Sequence, residues 1–274
     1  MGSWAEKRRK YQKEIDELCL MDDNFMSAVL QDKACCELVI NTILNRSDIE
    51  VVECETQYTI SNLYGRSVRL DVLAKDGHGD YINIEVQRSD EGAVPKRARY
   101  NCSLIDANVS EPGEKFSELP ETYVIFITEN DILDENRPLY TIDRTIAESG
   151  KLFNDGMHII YVNSQIRDDT ALGRLMHDFL CKNPKEMHYE VLSDNAKLTK
   201  EREDEKGMCK IIDDIVQRER KEAAMEAEKN AIKKASIETA CRMIDDGETN
   251  AEKIARYTSL SVAEVEALMA KPSA

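Results

Sequence analysis

Two acids and an amide stand out by type and spacing. Asp71 lies in Arg69-Leu70-Asp71-Val72-Leu73-Ala74-Lys75, and Glu85 and Gln87 lie in Tyr81-Ile82-Asn83-Ile84-Glu85-Val86-Gln87. Carboxylates are hard oxygen donors. Two of them, a backbone carbonyl and waters make the shell that Mg²⁺ prefers, and Val86 is the residue expected to lend its carbonyl. A cation so held acidifies a bound water, neutralises a phosphate and stabilises a leaving oxygen. Asp71, Glu85 and Gln87 are therefore the candidate catalytic residues. Asp71, Glu85 and the Val86 carbonyl are the candidate ligands of Mg²⁺ or Mn²⁺.

This chemistry requires the three residues to converge. Segments 51–60, 67–75 and 81–88 are rich in Val, Ile, Tyr and Thr and read as strands. Asp76-Gly77-His78-Gly79-Asp80 is a hairpin-turn signal between the last two. Side chains alternate between the faces of a strand. Val68, Leu70, Val72 and Ala74 then share one face, with Asp71 opposite. Ile82, Ile84 and Val86 share a face, with Glu85 and Gln87 opposite. If the apolar sets line one side of the sheet, the three polar side chains gather on the other. A single acid in a strand is most simply a solvent-facing residue; three polar residues in matching phase are a constellation.

The stretches Arg69-Leu70-Asp71-Val72-Leu73-Ala74-Lys75-Asp76 and Asn83-Ile84-Glu85-Val86-Gln87 resemble the core of the Rpn group of recombination-promoting nucleases and transposases, within the PD-(D/E)XK superfamily. The resemblance continues through a basic helix with Arg97, Arg99 and Tyr100 and through the strand at 122–128, and covers roughly residues 20–185. It implies a restriction-endonuclease-like fold and Mg²⁺-dependent hydrolysis of DNA phosphodiesters, linked to recombination or mobile elements. Asp71 and Glu85 take the metal-ligand positions. The superfamily's third position is usually Lys, and here it is Gln87, as often in the Rpn group. A glutamine orients a water but brings no charge, so Lys96, Arg97 or Arg99 on the following helix is expected to supply it. Arg97 and Arg99 are also the candidate nucleic-acid contacts. The superfamily often adds a Glu from the first helix, and Glu37 is the candidate. Arg69, on the face of Asp71, is expected to pair with it, and Tyr100 to pack in the core.

The remaining elements follow from periodicity and punctuation. Helices are expected over 5–20, from Phe25 to Leu44, over 94–108 with Pro95 in the first turn, and over 168–181. The apolar run Thr122-Tyr123-Val124-Ile125-Phe126-Ile127-Thr128 reads as a strand buried on both faces, followed by strands at 139–146 and 157–163. The fold class is α/β: a restriction-endonuclease-like mixed sheet flanked by helices, followed by a helical C-terminal region. Residues 1–199 are expected to form the nuclease-like domain. Residues 200–234 read as a charged linker helix with a short apolar stripe of Met208, Ile211, Ile212, Ile215 and Val216. Residues 235–274 read as three short helices, capped by Asn250 and Ser261 and resembling a helix-turn-helix. The third helix carries Glu264 and Glu266 and no base before Lys271, which suits packing or homodimerisation better than base reading.

Composition narrows the setting. The chain has 274 residues, enough for one large core and an appendage. Its net charge of −16 opposes phosphate binding, so a nucleic-acid groove must be local or completed by cations. That charge and Gln87 also support an alternative: an inactive or weakly active nuclease fold acting as a nucleic-acid-binding or regulatory module. Eight cysteines and four histidines are scattered, without C-x-x-C, so reduced thiols are expected rather than zinc or disulfides. No apolar run suits a membrane span, and none follows Lys7, Arg8, Arg9 and Lys10 as a secretory signal requires. A cytoplasmic location is the expectation, with DNA as partner.

Overall fold

The computed structural model describes residues 4–202 and 205–270; the side chain of Met208 and all of Lys271 lie outside the described residues. By contacts the chain divides into two units, Met1–Ile212 and Asp213–Ala274.

The first unit opens with α1 (Trp4–Lys10), α2 (Gln12–Asp16), α3 (Asp23–Leu30) and α4 (Lys33–Leu44). The single helices predicted over 5–20 and 25–44 are each broken in two. Tyr11 leaves helical geometry at φ −101°, ψ 17°. Asp32 is extended, and its side chain accepts a hydrogen bond from Cys35 N at 3.1 Å. A carboxylate there caps a new helix rather than continuing the old one. Apolar spacing does not reveal the break, because α3 and α4 both pack on β1 (Val51–Ile60).

β2 (Val68–Asp76) and β3 (Tyr81–Gln87) follow, then α5 (Pro95–Val109), β4 (Thr122–Thr128), β5 (Leu139–Ile142) and β6 (Met157–Asn163). The sheet order is β1-β2-β3-β4-β6-β5. β1, β2 and β3 form an antiparallel meander. The β2–β3 turn is fixed by Asp76 Oδ1, which accepts from His78 N and Asp80 N at 2.9 Å each, and by Gly79 at φ +96°. β4 then pairs in parallel with both β3 and β6, which accounts for its unbroken apolar run. β5 is shorter than the 139–146 prediction and closes the far edge antiparallel to β6.

α5 covers one face, where Ala98, Cys102 and Ile105 join Val124, Phe126 and Tyr161 in one apolar cluster. The alternate residues Ile125, Ile127 and Val162 are equally buried, so the sheet is covered on both faces. α6 (Ala171–Leu180) and α7 (Glu190–Glu201) complete the unit. The sequence reading has no counterpart to α7, which packs on α3 and α4 and buries Leu192 and Ala196. This is the expected restriction-endonuclease-like α/β arrangement.

α8 (Glu205–Asp245) is a single helix of 41 residues. It absorbs both the charged linker and the first of the three short helices, because no Gly or Pro interrupts residues 208–246. Gly247, at φ +92°, ends it. α9 (Ala251–Thr258) is capped by Asn250, and α10 (Val262–Met269) by a Ser261–Glu264 capping box. Ala240, Ile254, Leu260 and Val265 form the small core of the second unit. Glu264 also pairs with Lys233 at 2.9 Å, so it is committed to structure. The seven described cysteines are unpaired. No described helix is long and apolar enough to cross a membrane.

Candidate active site

The β2–β3 ladder runs from Lys75↔Tyr81 to Val72↔Ile84 and stops one step short of Asp71 and Glu85. There the two side chains replace the backbone rungs. Val86 N donates to Asp71 Oδ2 at 3.0 Å, and Asp71 N donates to Glu85 Oε1 at 3.4 Å. Both carboxyls are buried, with Asp71 6% and Glu85 0% exposed. Asn83 supports the arrangement, its amide donating to Glu85 Oε1 at 3.1 Å and to Val72 O at 3.0 Å. In a strand the N–H and C=O of one residue leave on the same side. The Val86 carbonyl therefore faces the gap that the carboxylates occupy.

Simple face alternation does not describe β2 here. Leu70 and Leu73, on opposite phases, belong to one apolar cluster, and Asn83 and Leu73, on the phase of the polar set, are themselves buried. Glu85 and Gln87 are nevertheless joined by α5, while Asp71 meets Glu85 through the crossed bonds to backbone N–H groups. Arg97 Nη2 lies 2.7 Å from Glu85 Oε2, and its Nη1 donates to Gln87 Oε1 at 3.3 Å and to Gly92 O at 2.8 Å. Gly92 belongs to a 3-10 turn, Asp90–Ala93, and a β-carbon there would collide with Gln87 Oε1. Gln87 is held between that turn and the guanidinium.

Burial is the main force on both acids. It pushes Asp71 well above the usual carboxylate range, helped by the neighbouring charges of Glu85 and then Asp23. It raises Glu85 too, against the lowering effects of Arg97 and the Asn83 hydrogen bond. Asp23 is the residue that sequence reasoning misses. It reads as part of an Asp22-Asp23-Asn24 cap. Asp22 does take the N-cap position of α3, but makes no capping bond and lies 3.3 Å from Arg88. Asp23 instead accepts a 2.7 Å bond from Gln57, on β1 between the partners of Val72 and Leu70. Gln57 itself is left-handed, at φ +56°. The only sequence signal is an acid beside a capping acid.

A cleft of about 700 Å³ runs outward from Arg97, lined also by Arg66, Arg69, Lys96, Arg99 and Tyr100. Arg66, Arg69, Lys96 and Arg99 are exposed and have no side-chain partner among the described residues. Arg69 thus does not pair with Asp71. Arg97 differs from its neighbours, since its donors serve Glu85, Gln87 and Gly92. Tyr100 tethers a loop: its hydroxyl donates to Arg66 O at 2.5 Å.

A family model described as PD-(D/E)XK nuclease family transposase matches residues 31–240, most of the chain and all of the β1–β6 sheet. The chain belongs to the PD-(D/E)XK nuclease transposase family. No curated protein and no solved structure matches it.

For a PD-(D/E)XK chain, the donor set is the point to test against a divalent ion. Asp71, Glu85 and the Val86 carbonyl offer hard oxygens only, and two buried acids face a single guanidinium. That set fits a hard cation. Glu37, expected to add a further acid, does not reach it. Its Oε2 accepts from Val51 N at 3.0 Å, at the opposite end of β1 from Gln57, roughly 20 Å away along the strand. Glu37 starts the sheet instead.

The fold also brings together a cluster not apparent from dispersed histidines. Ligand atoms of His177, Asp178 and His188 lie within 4.8 Å of one another. Asp178 is fully buried and already accepts from His188 N and Tyr189 N at 2.8 Å each. Its carboxylate is accounted for as the clamp that turns the chain from α6 toward α7.

Proposed function

We propose that this chain is a Mg²⁺- or Mn²⁺-dependent endodeoxyribonuclease of a mobile-element or recombination system. The observation that carries the reading is the pair of buried carboxyls set into a broken ladder and joined, through the Arg97–Glu85 contact, to a cleft whose other four cations have no side-chain partner among the described residues. Asp71, Glu85 and the Val86 carbonyl would hold the ion. When bound, it supplies an acidified water and positive charge against the phosphate. Gln87 orients the attacking water through its amide. Arg97 fixes Glu85 and Gln87 and supplies the cation that the glutamine lacks. Arg66, Arg69, Lys96 and Arg99 hold phosphates on either side, which is how DNA is gripped by a chain of charge −16.

Nicking of supercoiled plasmid across Mg²⁺, Mn²⁺ and Ca²⁺ tests this. Wild type is expected to nick with the first two, and Asp71→Asn with none. Nicking that persists in Asp71→Asn overturns the assignment. DNA binding without nicking under any metal would instead establish the regulatory alternative, which Gln87 supports.

Reduced cysteines support a cytoplasmic setting. Met225 and Ile232, both 61% exposed and seven residues apart on α8, support homodimerisation through the C-terminal helices. Sedimentation of the full chain and of Met225→Glu/Ile232→Glu checks this, with a wild-type monomer as the contrary result.

A further inference from the structure

The cleft ends on a loop of which the proposed function uses only Arg66. Residues 61–67, Ser61-Asn62-Leu63-Tyr64-Gly65-Arg66-Ser67, join β1 to β2 and contain no acid. At the tip, Leu63 is 91% and Tyr64 99% exposed. Single apolar residues on a surface need no explanation, but two adjacent large ones on a hairpin tip do. The loop is also built rather than slack. Asn62 N donates to Ser67 Oγ at 3.0 Å, and Tyr64 N to Asn62 Oδ1 at 3.1 Å. Tyr100, on α5, holds Asn62 and Arg66 O from below. Tyr100 lies one helical turn beyond Arg97, roughly 4.5 Å along the axis. The loop is therefore fastened close to the residue that grips Glu85.

Charge selects the occupant. Phe116 is equally bare, at 89% exposed, but stands among Glu111, Glu114 and Glu118, where a polyanion is repelled. Leu63 and Tyr64 instead precede Arg66 and Ser67, through which their loop lines the cleft; there Arg66, Arg69, Lys96, Arg97 and Arg99 outnumber the single acid Glu91. Apolar side chains presented beside phosphate-binding cations are the means by which proteins enter a base stack.

Resting on the nuclease reading, we infer that Leu63 and Tyr64 form a wedge that enters the base stack of duplex DNA held in the cationic cleft. The backbone is gripped by the arginines while the two side chains separate a base step within a few base pairs of the scissile phosphate. Unstacking costs least at pyrimidine–purine steps and at mismatches, and most in stiff A-tracts. The wedge therefore sets a substrate class: deformable or mispaired duplex is bound and cut ahead of rigid duplex.

The test uses the full chain in EDTA, so that cleavage plays no part. Duplexes carry 2-aminopurine at successive positions across a TA step, a mismatch or an A-tract. Anisotropy reads binding and fluorescence reads unstacking in the same samples. Wild type is expected to raise 2-aminopurine fluorescence at the TA step and the mismatch. Leu63→Ser/Tyr64→Ser is expected to abolish the rise and to weaken mismatch binding roughly 5- to 100-fold, with A-tract binding nearly unchanged. Tyr64→Phe keeps the rise. The serine variant should melt with wild type, since both side chains stand almost wholly in solvent.

Wild type that binds duplex without the rise, or a serine variant that keeps it, overturns the wedge and leaves the nuclease reading standing. Tyr64-dependent binding of single strands alone also overturns it. Failure of wild type to bind any duplex in EDTA overturns the wedge, and failure in Ca²⁺ as well removes the nuclease reading with it.

Discussion

The Arg97 guanidinium lies 2.7 Å from a Glu85 carboxylate that has no exposure to solvent, while its own side chain is 35% exposed along the cleft. The pair bridges the interior of the sheet and the surface where DNA would lie. Removing the arginine strands a buried charge. Arg97→Ala is expected to destabilise the first unit toward the lower end of the roughly 3–5 kcal/mol typical of a broken buried pair, because the cleft readmits water. Glu85→Gln in the same chain should recover more than half of that loss and no activity. Urea melts of wild type and the two variants decide it, and an Arg97→Ala as stable as wild type refutes the pairing.

The same guanidinium explains why the third motif position is not lysine. Arg97 Nη1 donates to Gln87 Oε1, so a lysine at 87 would bring two cations together over one carboxylate. Gln87→Lys is therefore expected to lower both melting temperature and nicking rate. Gln87→Lys/Arg97→Gln should restore both in part. Higher activity in the single Gln87→Lys variant than in wild type counts against Arg97 as the resident cation.

Gly92 holds Gln87 by leaving room for it. Gly92→Ala is expected to keep the fold, since the collision falls on the far end of a flexible side chain, while turning the Gln87 amide away. Activity should fall toward that of Gln87→Ala at nearly unchanged melting temperature. A Gly92→Ala enzyme as fast as wild type would remove Gln87 from the mechanism.

Protonation gives a metal-free readout. Asp71 and Glu85 are raised above the ordinary carboxylate range, chiefly by burial. A carboxyl raised on folding stabilises below its unfolded pKa, about 4, and that contribution is lost as pH rises through the folded value. Asp71→Asn removes the loss. In EDTA the variant should melt above wild type near neutral pH, by about 2–4 °C for each kcal/mol relieved, and the gap should widen as pH rises from 4. Mg²⁺ should raise the melting temperature of wild type only. A gap independent of pH contradicts the burial argument.

The cleft cations answer to salt. Arg66→Ala, Lys96→Ala and Arg99→Ala should each reduce the slope of log K against log[salt] for duplex binding by about 0.9 for every phosphate left without its cation. Arg97→Ala should change the slope less, its donors being spent inside the protein. Equal slopes for all four would place DNA elsewhere.

Much of this was legible in the residues. Apolar runs marked every strand of the sheet because β4 is sandwiched and the others carry dense Val, Ile and Tyr. Capping chemistry marked α9 and α10. The helix breaks at Tyr11 and Asp32 were hidden because apolar spacing persists across them, and α7 because its short apolar face, Leu192 and Ala196, is diluted by polar residues. At the site, strand phase brought Asp71, Glu85 and Gln87 forward, though the sheet is buried on both faces and the alternation that motivated them is imperfect. Asp23 and the Arg97 bridge depend on how α3 and α5 pack against strand ends, and no local pattern encodes that. Glu37 fits the expected residue type but begins a strand.

The broken ladder has an evolutionary corollary. Asp71 and Glu85 each close a rung that the backbone leaves open. A descendant that abandoned cutting would still be selected to keep an acceptor oxygen at each position, carboxylate or amide, because the meander depends on it for cohesion. Arg66, Lys96 and Arg99 serve no such tenancy in the sheet and would drift first. Among relatives of this chain, retirement from DNA cleavage is thus expected to show as decay of the basic rim and exchange of either acid for its amide, before any residue without an acceptor oxygen stands at 71 or 85.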